Sequence, residues 1–195
     1  MNTFDHTPRI IKETSAGDFL YDIRDEMLHR REVELVGEIN AQSAYSLCRQ
    51  LRYLQREDPK AEITLYINSP GGEVKSGLAV YDVMEAVGCP IRTICLGTAA
   101  SMAAVLFAAG DKRDILPHGQ VMIHDPLLTG GGGTALAVEA ESKRLLATRK
   151  ALCGILASHT GKKPQEIYRK TAKDSWFSAE EAVSFGLADR VIHTI

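Results

Sequence analysis

Cysteine is scarce in this chain, four in 195 residues. Cys48, Cys89, Cys95 and Cys153 include no C-x-x-C pair and fall short of the density of a secreted disulfide scaffold, so free thiols in a reducing, cytoplasmic setting are expected. An excess of one charge is also missing: 23 Lys and Arg stand against 25 Asp and Glu, a net −2. Without a basic surplus to hold a phosphate backbone, nucleic acid is excluded as the expected partner. There is no long Leu- or Ile-rich run. Thr93 to Gly110 carries no charge, but it is built of Gly, Ala, Thr and Ser and split by Gly97, which predicts a buried strand and helix and no membrane span. Met1 to Asp18 is polar and lacks the apolar core of a signal peptide. No H-E-x-x-H, paired cysteines or clustered carboxylates suggest a metal, and Gly130–Gly133 lacks the Lys-Ser/Thr of a phosphate loop, so no cofactor is expected.

What remains is ordinary globular material: 45% hydrophobic and 25% charged residues, with neither repeat nor linker, which predicts one domain over 1–195. Residues 1–18 read as a mobile arm, with turn chemistry at Ser15-Ala16-Gly17-Asp18. Glu32–Val36 alternates like a half-buried strand. Ala41 to Leu54 places Ala44, Leu47, Leu51 and Leu54 at helical spacing, and Asp58-Pro59 stops it. Ile63–Ile67 reads as a strand, 74–87 as a helix, Ile91–Leu96 as a strand and Ser101–Ala109 as a helix. Arg113–Leu116 and Val121–His124 read as short strands. A flexible break at Thr129–Gly133 precedes the longest helix, Ala135 to His159, capped by Gly161. Pro164–Lys170 is a short helix, Ser178-Ala-Glu-Glu181 a capping box ahead of a helix ending at Gly186, and Val191–Ile195 a last strand. Strands alternating with helices predict an α/β fold with largely parallel pairing.

Three positions carry candidate chemistry. Ser101 lies where an apolar strand gives way to an apolar helix, among small residues that admit a substrate backbone, beside the free N–H groups and positive dipole end of a helix N-terminus. Those features suit oxyanion stabilisation, although a serine there is also a common helix cap, and G-x-S-x-G is absent. Asn68-Ser69-Pro70-Gly71-Gly72 follows another apolar strand and is a turn whose backbone N–H groups are sterically open, a second source of oxyanion donors or an ordinary turn. His124 ends an apolar strand and is the kind of base a serine hydroxyl needs. For the carboxylate steadying that imidazole, adjacent Asp125 is held extended by Pro126 and points to the opposite face. Asp174, in a loop ahead of the capping box, is a candidate, with Asp111, Asp114 and Asp189 left open.

Together these blocks resemble the proteolytic subunit of the Clp (caseinolytic) protease family over about Ile10 to Ile192. The matching segments are Tyr66-Ile-Asn-Ser-Pro-Gly-Gly72, Gly97-Thr-Ala-Ala-Ser-Met102, Val121-Met-Ile-His124, His159-Thr-Gly161, Lys173-Asp174 with Phe177-Ser-Ala-Glu-Glu-Ala-Val183, and Gly186-Leu-Ala-Asp189. The resemblance implies a crotonase-like, ClpP-type α/β fold of repeated ββα units with a protruding handle helix, the handle region spanning about 125–160. It implies a serine endopeptidase with Ser101 as nucleophile, His124 as base, Asp174 as acid, and the Gly72 and Met102 backbone N–H groups as oxyanion donors. It further implies heptameric rings stacked as a tetradecamer, acting on unfolded polypeptides. These would be fed by an ATP-driven AAA+ unfoldase of ClpX, ClpC or ClpA type through a pore gated by the arm near Arg9–Asp18. ATP would be used by that partner and not by this chain.

The chain departs from the family pattern at informative places. Asp125 replaces the usual glutamine after the histidine. Ala172 and Lys173 replace an acid–arginine pair that couples rings, and lysine lacks arginine's bidentate fork. Thr64 and Ala86 stand where the unfoldase-docking cleft often has aromatics, while Tyr66 keeps one. Those changes suggest a barrel shared with a second ClpP-like subunit. The competing readings are a catalytically weak or structural subunit of such a mixed barrel and, within the fold, a crotonase-type acyl-CoA enzyme.

Overall fold

The computed structural model describes residues 8–15, 17–128 and 132–195. Its frame is a mostly parallel sheet. Strands β3 (Glu32–Val36), β4 (Ile63–Ser69), β5 (Ile91–Ala100), β6 (Lys112–Ile115) and β9 (Arg190–Val191) lie side by side in that order, every neighbouring pair parallel. Parallel strands need long crossovers, and helices supply them: α2 (Ala41–Glu57) leads from β3 to β4 and α3 (Val74–Ala86) from β4 to β5. The alternating apolar residues of β4, Ile63, Leu65 and Ile67, are fully buried, and so is the Leu47–Leu51–Leu54 stripe of α2. Asn40 accepts from the N–H groups of Gln42 and Ser43 to open α2, and the Asp58 N–H closes it on the Leu54 carbonyl.

β5 divides its length between two neighbours. Its first half pairs with β4 and β6, while Thr98, Ala99 and Ala100 pair with Gln120, Val121 and Met122 of β7 (Gln120–Ile123). The handover coincides with an irregularity: Ile67 faces Cys95 but Ser69 faces Ala99, so β5 advances four residues while β4 advances two. The Asn68 side chain holds this bend by accepting the Thr98 N–H at 3.2 Å. β5 then runs straight into α4 (Met102–Ala108), all of whose residues are buried.

The last third is built on α5 (Ala135–Thr160), α6 (Pro164–Thr171), β8 (Ser175–Phe177) and α7 (Ala179–Phe185). Thr134 caps α5 by accepting the Ala137 N–H, and Gly161 ends it in the left-handed conformation at φ 69°. Only Leu152, Cys153, Leu156 and Ala157 of this helix are buried; Leu136, Val138 and Leu146, in its first half, face outward. The Ser178 capping box and left-handed Gly186 bound α7 as expected.

Five elements differ from the sequence reading. Arg9–Thr14 forms strand β1, antiparallel to β2 (Gly17–Asp22), where a mobile arm was expected; the turn does fall at Ser15, and residues 1–7 and 16 lie outside the described residues. Helix α1 (Ile23–His29), capped by Asp22, buries none of its residues, so no apolar period announced it. Ser175–Phe177 is a strand, β8, where the sequence alone points to a loop, because β7 lies beside it. The last strand holds only Arg190 and Val191, because β6 ends at Ile115 and leaves nothing beyond the Ile192 N–H to pair with. Of the glycine break at 129–133, residues 129–131 lie outside the described residues.

Candidate active site

The register of three strands brings the candidate residues together. β5 and β7 run parallel with Ala100 beside Met122, so the residues that follow, Ser101 on one and His124 on the other, leave the sheet at the same edge. The Ser101 N–H donates to the Met122 carbonyl at 2.8 Å and pins the turn. β8 runs antiparallel to β7, their ladder ends with Ser175 opposite Ile123, and Asp174 and His124 are the residues one step beyond that last pair. The result is a chain of polar contacts. Ser101 Oγ lies 2.8 Å from His124 Nε2, and His124 Nδ1 lies 3.1 Å from Asp174 Oδ1. The imidazole is largely covered, 16% exposed, whereas Asp174 is 66% exposed.

Ser101 precedes α4 at φ 56° and ψ −122°, and its side chain makes no cap bond. A non-glycine residue in the left-handed region costs about 1–3 kcal/mol and persists only where its surroundings impose it. Here the imposed conformation directs Oγ at the imidazole instead of at the helix, which sets aside the simple capping role.

The Pro70-Gly71-Gly72 turn packs directly against this serine. Gly71 has φ 93°, and a Cβ there would lie 2.6 Å from the Ala100 carbonyl oxygen, 2.7 Å from Ser101 Cβ and 3.0 Å from the Met102 nitrogen. Gly72, at φ 150°, bridges to Ile39: the Ile39 N–H donates to the Gly71 carbonyl and the Glu73 N–H to the Ile39 carbonyl. In a parallel bridge of that kind the Gly72 N–H points to the other side, away from Ile39. Gly71 and the Met102 amide are thus in contact distance, with the Gly72 amide one residue on.

The remaining carboxylates are engaged elsewhere. Asp111 accepts the Ile91 N–H at 2.7 Å, Asp189 pairs with Arg113, and Asp114 is buried between Arg92 and Arg190. Asp125 points away from His124, as the extended backbone requires. Its N–H donates to the Thr171 carbonyl at 2.7 Å, and its Oδ2 lies 2.7 Å from Arg149 Nε on α5, an ion pair with the N–H off the hydrogen-bond line. The neighbouring aspartate holds the Arg149 guanidinium above the usual arginine range, against the opposing effect of burial.

A cleft opens beside Ser101 and His124, walled by Val74, Met102, Val105, Leu152 and Leu156, with Asp125 and Arg149 at its lining. Met102 is expected at the site for its backbone N–H; Val74, Val105, Leu152 and Leu156, together with Arg149, are site components that the sequence reading missed. The apolar ones look like any core residue, and Arg149 is one of several charges on a long solvated helix. Among the described residues no group of three or more His, Cys, Asp or Glu is arranged to hold a metal, and no helix is long and apolar enough to cross a membrane.

The family model for the Clp protease matches residues 15–195, from just after β1 to the last residue, and so takes in every element that builds this site. The mixed α/β architecture agrees with the ClpP-type fold that the family has. The chain therefore belongs to the Clp protease family and is a Clp-type peptidase.

Proposed function

We propose that the protein is a serine endopeptidase that cuts unfolded polypeptides inside a barrel, with Ser101 as nucleophile, His124 as general base and Asp174 as the carboxylate that orients the imidazole. The observation that carries this reading is the unbroken contact chain, 2.8 Å from Ser101 Oγ to His124 Nε2 and 3.1 Å from His124 Nδ1 to Asp174 Oδ1. A serine hydroxyl is a weak nucleophile near neutral pH, and a positioned imidazole removes its proton as the carbonyl is attacked. With its Nδ1–H donated to Asp174, the ring presents the lone pair of Nε2 to Ser101, the tautomer this chemistry needs. The tetrahedral oxyanion then forms near the Gly72 and Met102 N–H groups, which Gly71 allows to approach by lacking a Cβ. The imidazolium passes its proton to the leaving amine, and water enters by the same route to release the acyl group.

Membership of the family implies a barrel worked together with unfoldases. Heptameric rings stacked in pairs, and an ATP-driven unfoldase supplying the substrate, are the arrangement proposed for this chain. The groove formed by Ile10, Ile23, Met27, Tyr66 and Leu96 is proposed as the unfoldase-docking surface. With Ala172 and Lys173 in place of the ring-coupling pair, a second ClpP-like subunit is a proposed partner in the barrel.

Ser101→Ala is expected to abolish peptide hydrolysis and labelling by a fluorophosphonate probe while leaving the assembly's mass unchanged. Undiminished hydrolysis in a clean preparation refutes the assignment. A coenzyme A requirement without labelling of Ser101 would support the acyl-CoA reading instead.

A further inference from the structure

Arg149 sits outside the Ser101–His124–Asp174 chain yet touches the segment that carries His124 and the helix that leads to Asp174. Its guanidinium pairs at 2.7 Å with Asp125, the residue directly after His124. The same guanidinium lies 4.8 Å over the Tyr168 ring and reaches the Tyr168 carbonyl at 3.4 Å from Nη2. Tyr168 belongs to α6, whose last turn ends at Thr171, three residues before Asp174. Thr171 closes the circuit, since its carbonyl accepts the Asp125 N–H at 2.7 Å. The circuit therefore runs from His124 through Asp125, Arg149 and α6 to Asp174, and back to His124 across the 3.1 Å imidazole–carboxylate contact.

That last contact has little support on the Asp174 side. Asp174 is 66% exposed and has no other partner in the contact chain, and 3.1 Å is near the long end of the range for an N–H···O bond. A displacement of a few tenths of an ångström takes it out of that range. Asp125 also has a second oxygen, Oδ1, buried and without a partner among the described residues, so Arg149 is the one cation that neutralises it there.

We infer that Arg149 is a positioning residue, which holds α6 and the His124–Asp125 segment in register on α5 so that Asp174 stays in reach of the imidazole. The inference rests on the peptidase reading above. It requires the shape of arginine as well as its charge: one edge for the carboxylate, a flat face for the Tyr168 ring and a second nitrogen for the carbonyl. Lysine supplies a single point charge and none of the planar geometry.

The test is a double-mutant cycle in the full chain, with kcat and KM measured on a fluorogenic peptide. Arg149→Lys, which keeps the charge, is expected to lower kcat about tenfold, in line with a misplaced catalytic group. Asp125→Asn, which breaks the same pair from the other side, is expected to do likewise, and serves if Arg149→Lys fails to fold. In an Asp174→Asn background each change is expected to cost less than twofold in kcat, because the contact it supports is already gone. An equal loss in both backgrounds, or an Arg149→Lys kcat within twofold of the unaltered chain, overturns the inference while leaving the peptidase reading intact. Failure of the unaltered chain both to hydrolyse the peptide and to be labelled at Ser101 overturns the peptidase reading, and this inference with it.

Discussion

Gly71→Ala is the substitution that tests most directly how the turn and the serine depend on each other. The new methyl carbon would stand 2.6 Å from the Ala100 carbonyl oxygen and 2.7 Å from Ser101 Cβ. Ordinary contacts between such atoms are about 3.5 Å, so the turn and the Ser101 segment must separate by about 0.8 Å. Neither side yields cheaply. Ser101 is tied to Met122 by its N–H, and the Gly71–Gly72 turn is bridged to Ile39. A shift near 1 Å in a reacting group costs about a hundredfold in rate, equivalent to about 2.7 kcal/mol in the barrel's hydrolytic step. The substitution also meets the penalty for a side chain at positive φ, of order 1–2 kcal/mol in stability. Gly161→Ala separates the two effects. Gly161 has φ 69° with nothing within 4 Å of a built Cβ, so it incurs the backbone penalty alone. The expected result is that Gly71→Ala loses more melting temperature than Gly161→Ala, by the added cost of the crowding, and that only Gly71→Ala loses about a hundredfold in kcat/KM on a fluorogenic peptide. A Gly71→Ala enzyme within twofold of the unaltered one refutes the reasoning, because the crowding would then have been absorbed without moving Ser101.

Two further outcomes are expected. Asp174→Asn should lower kcat by about 10- to 100-fold, less than loss of a buried orienting acid, since solvent already shares this carboxylate; a change below threefold in a peptide assay would remove Asp174 from the mechanism. Asp114→Asn should destabilise the protein by about 1–3 kcal/mol, because it weakens the charge-assisted hydrogen bonds that Arg92 and Arg190 make to a buried carboxylate while both arginines keep contact with solvent. Burial alone would push the Asp114 carboxyl up, but hydrogen bonds from Arg190 and Arg92 outweigh it and hold the group below its ordinary value. A carboxylate depressed in the folded state stabilises fully above the unfolded pKa, and that contribution disappears as pH falls through the folded value. The stability gap between Asp114→Asn and the unaltered chain, read from urea midpoints, should therefore be constant from pH 7 to 5 and shrink below about pH 4. A gap that widens on acidification would contradict the assignment.

Much of this molecule was legible along the chain. The apolar alternation of Ile63–Ile67, the Ala44–Leu47–Leu51–Leu54 stripe, the Ser178 capping box and the Gly161 and Gly186 stops are local signals, written in residues a few positions apart. The structure places β4, α2, α7 and the helix ends accordingly. Ser101 and His124 were visible for the same reason, each standing at the end of an apolar strand. Elements lacking such a signal were missed. α1 has no buried face, and β8 is three residues that become a strand only because β7 lies beside them.

The choice of carboxylate shows where local information stops. By spacing, Asp111, Asp114, Asp174 and Asp189 were equal candidates, and only the resemblance to a known family singled one out. Tertiary structure separates them physically. Asp174 and His124 lie just past the last pair of an antiparallel ladder and touch through their side chains, while Ile91, Arg92 with Arg190, and Arg113 each engage one of the others. The role of Arg149 belongs to the same category, for its partners lie on two segments brought beside α5 only by folding. Strand and helix formation is set by near neighbours and could be read from the amino-acid order. Which charged groups meet depends on register between strands distant in the chain, and that is decided only when the sheet assembles.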